Sequence, residues 1–112
     1  RRRPSRGARR ASASHDGTVR VYDNALGVCM VKMVGHVGAV YAVAWSTGAS
    51  GRSVLASGGV DGTVRVWDAT VGRCLAVHVG HHAGVSLVQW SPDGKQLSSG
   101  SEDGTLKLWP LG

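Results

Sequence analysis

His36, Ser57 and Asp61 are the three residue types of a nucleophilic triad, in which a carboxylate orients an imidazole that takes the hydroxyl proton. His81, Ser99 and Asp103 repeat the set in the same chain order. Acyl transfer would also need an oxyanion hole and a substrate cleft, and no stretch of the sequence marks either. A catalytic centre is needed once. A set that recurs, and is followed each time by a tryptophan six residues after its aspartate (Trp67, then Trp109), reads as a structural device rather than as a hydrolase.

Other chemistries are weaker still. His78, His81 and His82 cluster, but neither Cys-x-x-Cys nor His-Glu-x-x-His occurs, so no metal is expected. Gly58-Gly59-Val60-Asp61-Gly62 is glycine-rich, yet it leads into a strand-like segment rather than a helix that could receive phosphate, and it reads as a β-turn. No cofactor is implied.

The elements that position these residues emerge from self-comparison. A shift of 45 residues lays His15-Asp16-Gly17-Thr18-Val19-Arg20-Val21-Tyr22-Asp23 on Val60-Asp61-Gly62-Thr63-Val64-Arg65-Val66-Trp67-Asp68. It also lays Gly35-His36 on Gly80-His81 and Trp45-Ser46 on Trp90-Ser91. A shift of 42 then places Leu55-Ala56-Ser57-Gly58 on Leu97-Ser98-Ser99-Gly100, and Asp61-Gly62-Thr63 on Asp103-Gly104-Thr105. The difference lies between Trp45 and Leu55, where a loop insertion is expected. A period of ~40–45 residues with short alternating strands is the mark of propeller blades.

The sequence of Gly-His, an apolar strand, Ser-Pro-Asp-Gly, Leu-Ala-Ser-Gly, Asp-Gly-Thr and Trp-Asp over residues 11–112 resembles the WD-repeat family of β-propellers. The resemblance implies an all-β fold, a partial β-propeller of stacked four-stranded antiparallel blades. It also implies a structural tetrad in each blade: the turn Asp to the His after Gly, that His to a Ser on the second strand, and that Ser to the Trp indole. His36, Ser57, Asp61 and Trp67 would form one, and His81, Ser99, Asp103 and Trp109 the next. The first copy keeps Ser12 and Asp16, but Tyr22 stands in place of Trp.

Period and breakers give the strands. One full blade, 35–79, takes Val40–Trp45, Val54–Gly59, Thr63–Asp68 and Cys74–Val79. A partial blade, 11–34, takes Ala11–Ser14, Thr18–Asp23 and Val28–Val34. Another, 80–112, takes Val85–Trp90, Gln96–Ser101 and Thr105–Trp109, and Pro110 should end its last strand because proline cannot donate to a ladder. In Thr63–Asp68 the valines should face one neighbouring blade, with Thr63, Arg65 and Trp67 facing the other. Cys29 and Cys74 fall at equivalent outer-strand positions, too far apart for a disulfide, so two free thiols and a cytoplasmic or nuclear location are expected.

The chain has 112 residues and a net charge of +6, and Arg1, Arg2, Arg3, Arg6, Arg9 and Arg10 supply all of the excess. The rest is balanced, so the basic footprint is a terminal block, 1–10, rather than a face of the fold. That block occupies the slot of a connecting loop. No apolar run approaches the ~18–20 residues of a membrane-spanning helix. About two and a half blades cannot close a ring of the 4–8 that propellers use, so the C-terminal part of a larger propeller, missing blades or self-association is expected.

What remains is recognition. Loops on a rigid scaffold carry binding residues, and the resemblance places the docking surface on the face of the Gly-His and Asp-Gly turns. His15, Val37, Tyr41, Val60, His82, Ser86 and Glu102 are its candidate rim. The reading is a non-enzymatic scaffold for proteins or peptides within a multiprotein complex. The alternative is a nucleic-acid-associated module, of RNA-processing type, using the Arg-rich start.

Overall fold

A computed structural model describes residues 9–46 and 54–110. The expected loop insertion after Ser46, most of the Arg-rich start and the last two residues lie outside the described residues. The described residues form ten strands, in chain order β1 (Arg9–Ala13), β2 (Thr18–Asp23), β3 (Cys29–Val34), β4 (Val40–Trp45), β5 (Val54–Gly59), β6 (Thr63–Asp68), β7 (Arg73–Val79), β8 (Val85–Trp90), β9 (Gln96–Ser101) and β10 (Leu106–Pro110). They form three antiparallel meanders among the described residues, ordered β1-β2-β3, β4-β5-β6-β7 and β8-β9-β10. The fold is all-β, as blades stacked side by side.

Alternation along each strand decides what is buried. Val19, Val21 and Met33 of the first sheet meet Val40, Leu55, Trp67 and Ala69 in one core. Ala56, Val64 and Val66 of the second sheet meet Val85, Val88, Trp90 and Leu97 of the third in another. Val64 and Val66 thus serve one junction while Trp67 serves the opposite one. Fully burying each such aliphatic side chain contributes about 1.5–3 kcal/mol. The Trp90 indole N–H also donates to the Ala44 carbonyl at 3.0 Å, joining the second and third sheets.

Six expected strand ends need correction: β1 stops at Ala13 rather than Ser14, β3 starts at Cys29 rather than Val28, β7 starts at Arg73 rather than Cys74, and the other three have a visible cause. β1 starts at Arg9, so Arg9 and Arg10 belong to a strand and not to the connecting loop; Arg10 pairs with Tyr22, as Leu55 pairs with Trp67, and its guanidinium lies 4.7 Å from the Tyr22 ring centroid. β10 excludes Thr105, whose amide and hydroxyl both go to Asp103. Its counterpart Thr63 makes the same bonds but is held in the ladder opposite Val79 of β7. β10 also includes Pro110, opposite Gln96. β10 is an edge of its sheet, where a missing N–H donor is tolerated.

Register shifts recur in two repeat-equivalent pairs, one of them between Val21 and Tyr22 and between Val66 and Trp67. The register shifts between Val40 and Ala42 and again between Val85 and Leu87, setting Tyr41 and Ser86 outside the ladder. A bulge re-aims the side chain it carries, and Tyr41 is turned out, 43% exposed.

Candidate functional site

The tight turns come first. In Asp-Gly-Thr, the aspartate accepts from the threonine amide and hydroxyl two residues on, which closes the turn. Asp16 does so at 3.1 and 2.6 Å, Asp61 at 3.2 and 2.8 Å, and Asp103 at 2.9 and 2.5 Å. The intervening Gly62 has φ +78, and a Cβ there would stand 2.8 Å from the His81 carbonyl oxygen of the next repeat. That position needs glycine for its backbone and for the close approach.

On this turn the structure assembles His36, Ser57, Asp61 and Trp67. Trp67 Nε1 donates to Ser57 Oγ at 2.8 Å, and Ser57 Oγ lies 2.7 Å from His36 Nε2. His36 Nδ1 faces the Asp61 carboxylate at 3.2 and 3.3 Å and the Thr63 hydroxyl at 3.2 Å. An indole can only donate and a carboxylate only accept. The chain therefore runs Trp67 N–H to Ser57, Ser57 O–H to His36 Nε2, and His36 Nδ1–H to Asp61, with a neutral imidazole. Burial holds the His36 pKa below its ordinary value, against the pull of Asp61. For Asp61 burial pushes upward, but the bonds from the Val37 amide and from Thr63 prevail and hold the carboxyl low.

The third blade brings His81, Ser99 and Trp109 together: Trp109 Nε1 donates to Ser99 Oγ at 2.9 Å, and Ser99 Oγ lies 2.7 Å from His81 Nε2. Its link to Asp103 differs. His81 Nδ1 lies 3.0 Å from Thr105 Oγ1, and Thr105 donates onward to Asp103. Burial again lowers the His81 pKa, and the Thr105 hydroxyl holds the Asp103 carboxyl far below the usual range. The first blade has Ser12 half-buried, and Asp16 is paired to Arg20 at 3.1 Å.

Ser57 and Ser99 are fully buried, each between an imidazole and an indole. A hydroxyl with no exposed surface offers a substrate no approach. The arrangement braces a turn against two strands, which cooperative hydrogen bonding strengthens.

The remaining predicted positions are exposed. His15, Val37, Tyr41, Val60, His82, Ser86 and Glu102 all reach solvent at or beside turns. The backbone of four of them is tied: Val37 N–H donates to Asp61 and His82 N–H to Asp103, while Val60 N–H donates to the Ala39 carbonyl and Glu102 N–H to the Gly84 carbonyl. Of the seven, Tyr41 and Glu102 converge, both over Gly84. Among the described residues no group of three His, Cys, Asp or Glu is placed to hold a metal, and both cysteines are free.

Four participants escaped the sequence reading. Thr63 and Thr105 were visible as the constant third member of Asp-Gly-Thr. His78 stacks on Trp109, centroids 4.7 Å apart and planes at 22°, and its alignment with the buried Met33 was the available signal. Gly84 gave none.

The family model described as "WD domain, G-beta repeat" matches residues 4–23, 27–68 and 72–110. The chain belongs to the WD-repeat family. WD repeats generally mediate protein–protein interaction and are generally non-enzymatic. No curated protein matches the chain. Among solved structures, the chain is similar to the crystal structure of the computationally designed Ika4 protein, with a TM-score of 0.81 and 34% identity over 96% of this chain. It spans 63% of that protein's length.

Proposed function

We propose that this WD-repeat chain is a non-enzymatic scaffold that docks a protein or peptide partner on the rim formed by its Asp-Gly and Gly-His turns, within a multiprotein complex of the cytoplasm or nucleus. The observation that carries the reading is the contrast between two sets of side chains. His36, Ser57, Asp61 and Trp67 are consumed in one internal hydrogen-bonded chain. Val37 and Val60 stand 76% and 42% exposed on backbone tied by hydrogen bonds, and Tyr41 stands 43% exposed on the bulge of β4. Rigid presentation of apolar and aromatic groups lowers the ordering cost of binding and favours interface anchors. The nucleic-acid alternative rests on an Arg-rich start of which Arg1, Arg2, Arg3 and Arg6 lie outside the described residues, and no described feature favours it.

Selection of peptides from a random display library on the immobilised chain tests the reading. Peptides recovered on the wild type should bind at least about tenfold more weakly to a Val37→Asp, Val60→Asp variant, the loss typical of anchor positions. Unchanged binding by that variant would overturn the rim as the docking surface.

A further inference from the structure

Features that recur from blade to blade hold the fold, so a feature present in one blade alone is free to serve recognition. One lies where the second sheet meets the third. A Cβ on Gly84 would stand 2.7 Å from Glu102 Oε1 and 2.9 Å from Tyr41 Cε2. Gly84 is outside the left-handed region, so its backbone does not require glycine, and a side chain there would displace the ends of Glu102 and Tyr41 that now converge over it. One repeat earlier the equivalent residues are Ala39, which keeps its Cβ, and Val60, which carries no charge.

The two side chains complement each other. Tyr41 is turned outward by the bulge in β4, and Glu102 is exposed with no ion pair among the described residues. The Glu102 amide is fixed on the Gly84 carbonyl at 2.9 Å, which holds the carboxylate beside the ring. Asp103, next in the chain, adds negative charge although Thr105 and His82 occupy its oxygens. An aromatic ring attracts a cation, and a carboxylate pairs with one. A guanidinium satisfies both, because its plane stacks on a ring while its edge donates to a carboxylate.

We infer that Tyr41 and Glu102, closing over Gly84, form a shelf for an arginine side chain of the partner. This inference rests on the rim reading above and names the chemistry that the rim selects. At an exposed site the ion pair and the ring contact together amount to roughly a tenfold preference for the charged side chain, screened by salt.

Titration of the full chain with N-acetyl-arginine amide, and with the neutral isostere N-acetyl-citrulline amide, followed by NMR, tests it. The arginine compound should move the Gly84 and Glu102 amide signals and the Tyr41 ring signals, with affinity about five- to tenfold above the citrulline compound. Glu102→Gln should erase that difference, and the unmoved indole signal of Trp67 reports that the variant is folded. Equal responses to the two compounds, or an undiminished preference in Glu102→Gln, would overturn the shelf. Display-selected peptides that depend on Val37 and Val60 but not on any arginine overturn the shelf and leave the rim standing. Arginine-specific shifts at Gly84, with peptide binding indifferent to Val37→Asp and Val60→Asp, overturn the rim reading instead.

Discussion

Trp67 and Ser57, ten residues apart on adjacent strands, are joined by an indole-to-hydroxyl bond of 2.8 Å with Ser57 fully buried. The same bond joins Trp109 to Ser99 at 2.9 Å. Each bond fixes a serine rotamer that in turn fixes a histidine, and the histidine reaches the turn aspartate, directly in the second blade and through Thr105 in the third. The residues that look most like catalytic machinery are the ones most fully committed to holding strands together.

The Asp-Gly turns give a paired test. Gly62 and Gly104 both sit at positive φ, +78 and +87, but a Cβ on Gly62 would strike the His81 carbonyl while one on Gly104 would meet open space. Both alanine substitutions should lose about 1–2 kcal/mol to the left-handed backbone. Gly62→Ala should lose at least about 1 kcal/mol more, because backbone must move. Urea denaturation of the two variants checks this; equal losses would mean that the turn does not abut the next blade.

Mild acid should destabilise the fold through its buried histidines. Burial is the leading cause of the lowered pKa of His36, His78 and His81, whose ordinary value is 6.5. The unfolded chain then binds protons that the folded chain refuses. Stability is therefore complete above the ordinary value and falls as pH drops through it toward the lower folded values. Melting temperatures should decline between about pH 7 and pH 5. A flat or rising profile would show that the imidazoles are not held neutral.

His78 supplies a sharper variant of the same test. Its Nε2 is buried without a hydrogen-bond partner, and its ring lies against Trp109 at the junction of the second and third sheets. The equivalent residue one blade earlier is Met33, fully buried in the junction that contains Trp67. His78→Met should stabilise the chain by about 1 kcal/mol, since an orphaned polar atom is removed and apolar packing is gained. It should also shallow the acid limb. A less stable His78→Met would mean that the stack is worth more than the unmet bond costs.

Much of this was legible in the sequence, and the reason is repetition. The strands Thr18–Asp23, Val40–Trp45, Val54–Gly59, Thr63–Asp68, Val85–Trp90 and Gln96–Ser101 appear with the bounds that alternation and turn residues dictate. At two of the misjudged places a neighbour decides. Thr105 leaves the ladder because no described strand lies beyond it, and Arg9 and Arg10 enter one because Asp23 and Tyr22 are opposite. The bulges at Tyr41 and Ser86 were hidden, since the strand pattern of types does not show which residue is extruded. The Gly84 approach was hidden for the same reason: it depends on two side chains far off in sequence.

The open face of the third sheet makes a prediction of its own. Leu87, Leu106 and Leu108 are 49%, 78% and 67% exposed, at positions where Ala42, Val64 and Val66 are covered by the next blade. Exposed apolar faces and sheet edges drive association. Leu106→Lys with Leu108→Lys should reduce concentration-dependent association in sedimentation, and an unaltered profile would place the association elsewhere.

The hydrogen-bonded chain itself is tested most directly by equilibrium unfolding of Ser57→Ala. Removing one oxygen orphans both the Trp67 indole N–H and His36 Nε2 in a buried place, so the unfolding free energy should drop by about 1–3 kcal/mol with an unchanged denaturant slope. A Ser57→Ala chain as stable as the wild type would contradict the account, because a serine that can be deleted without cost is not bracing the blade.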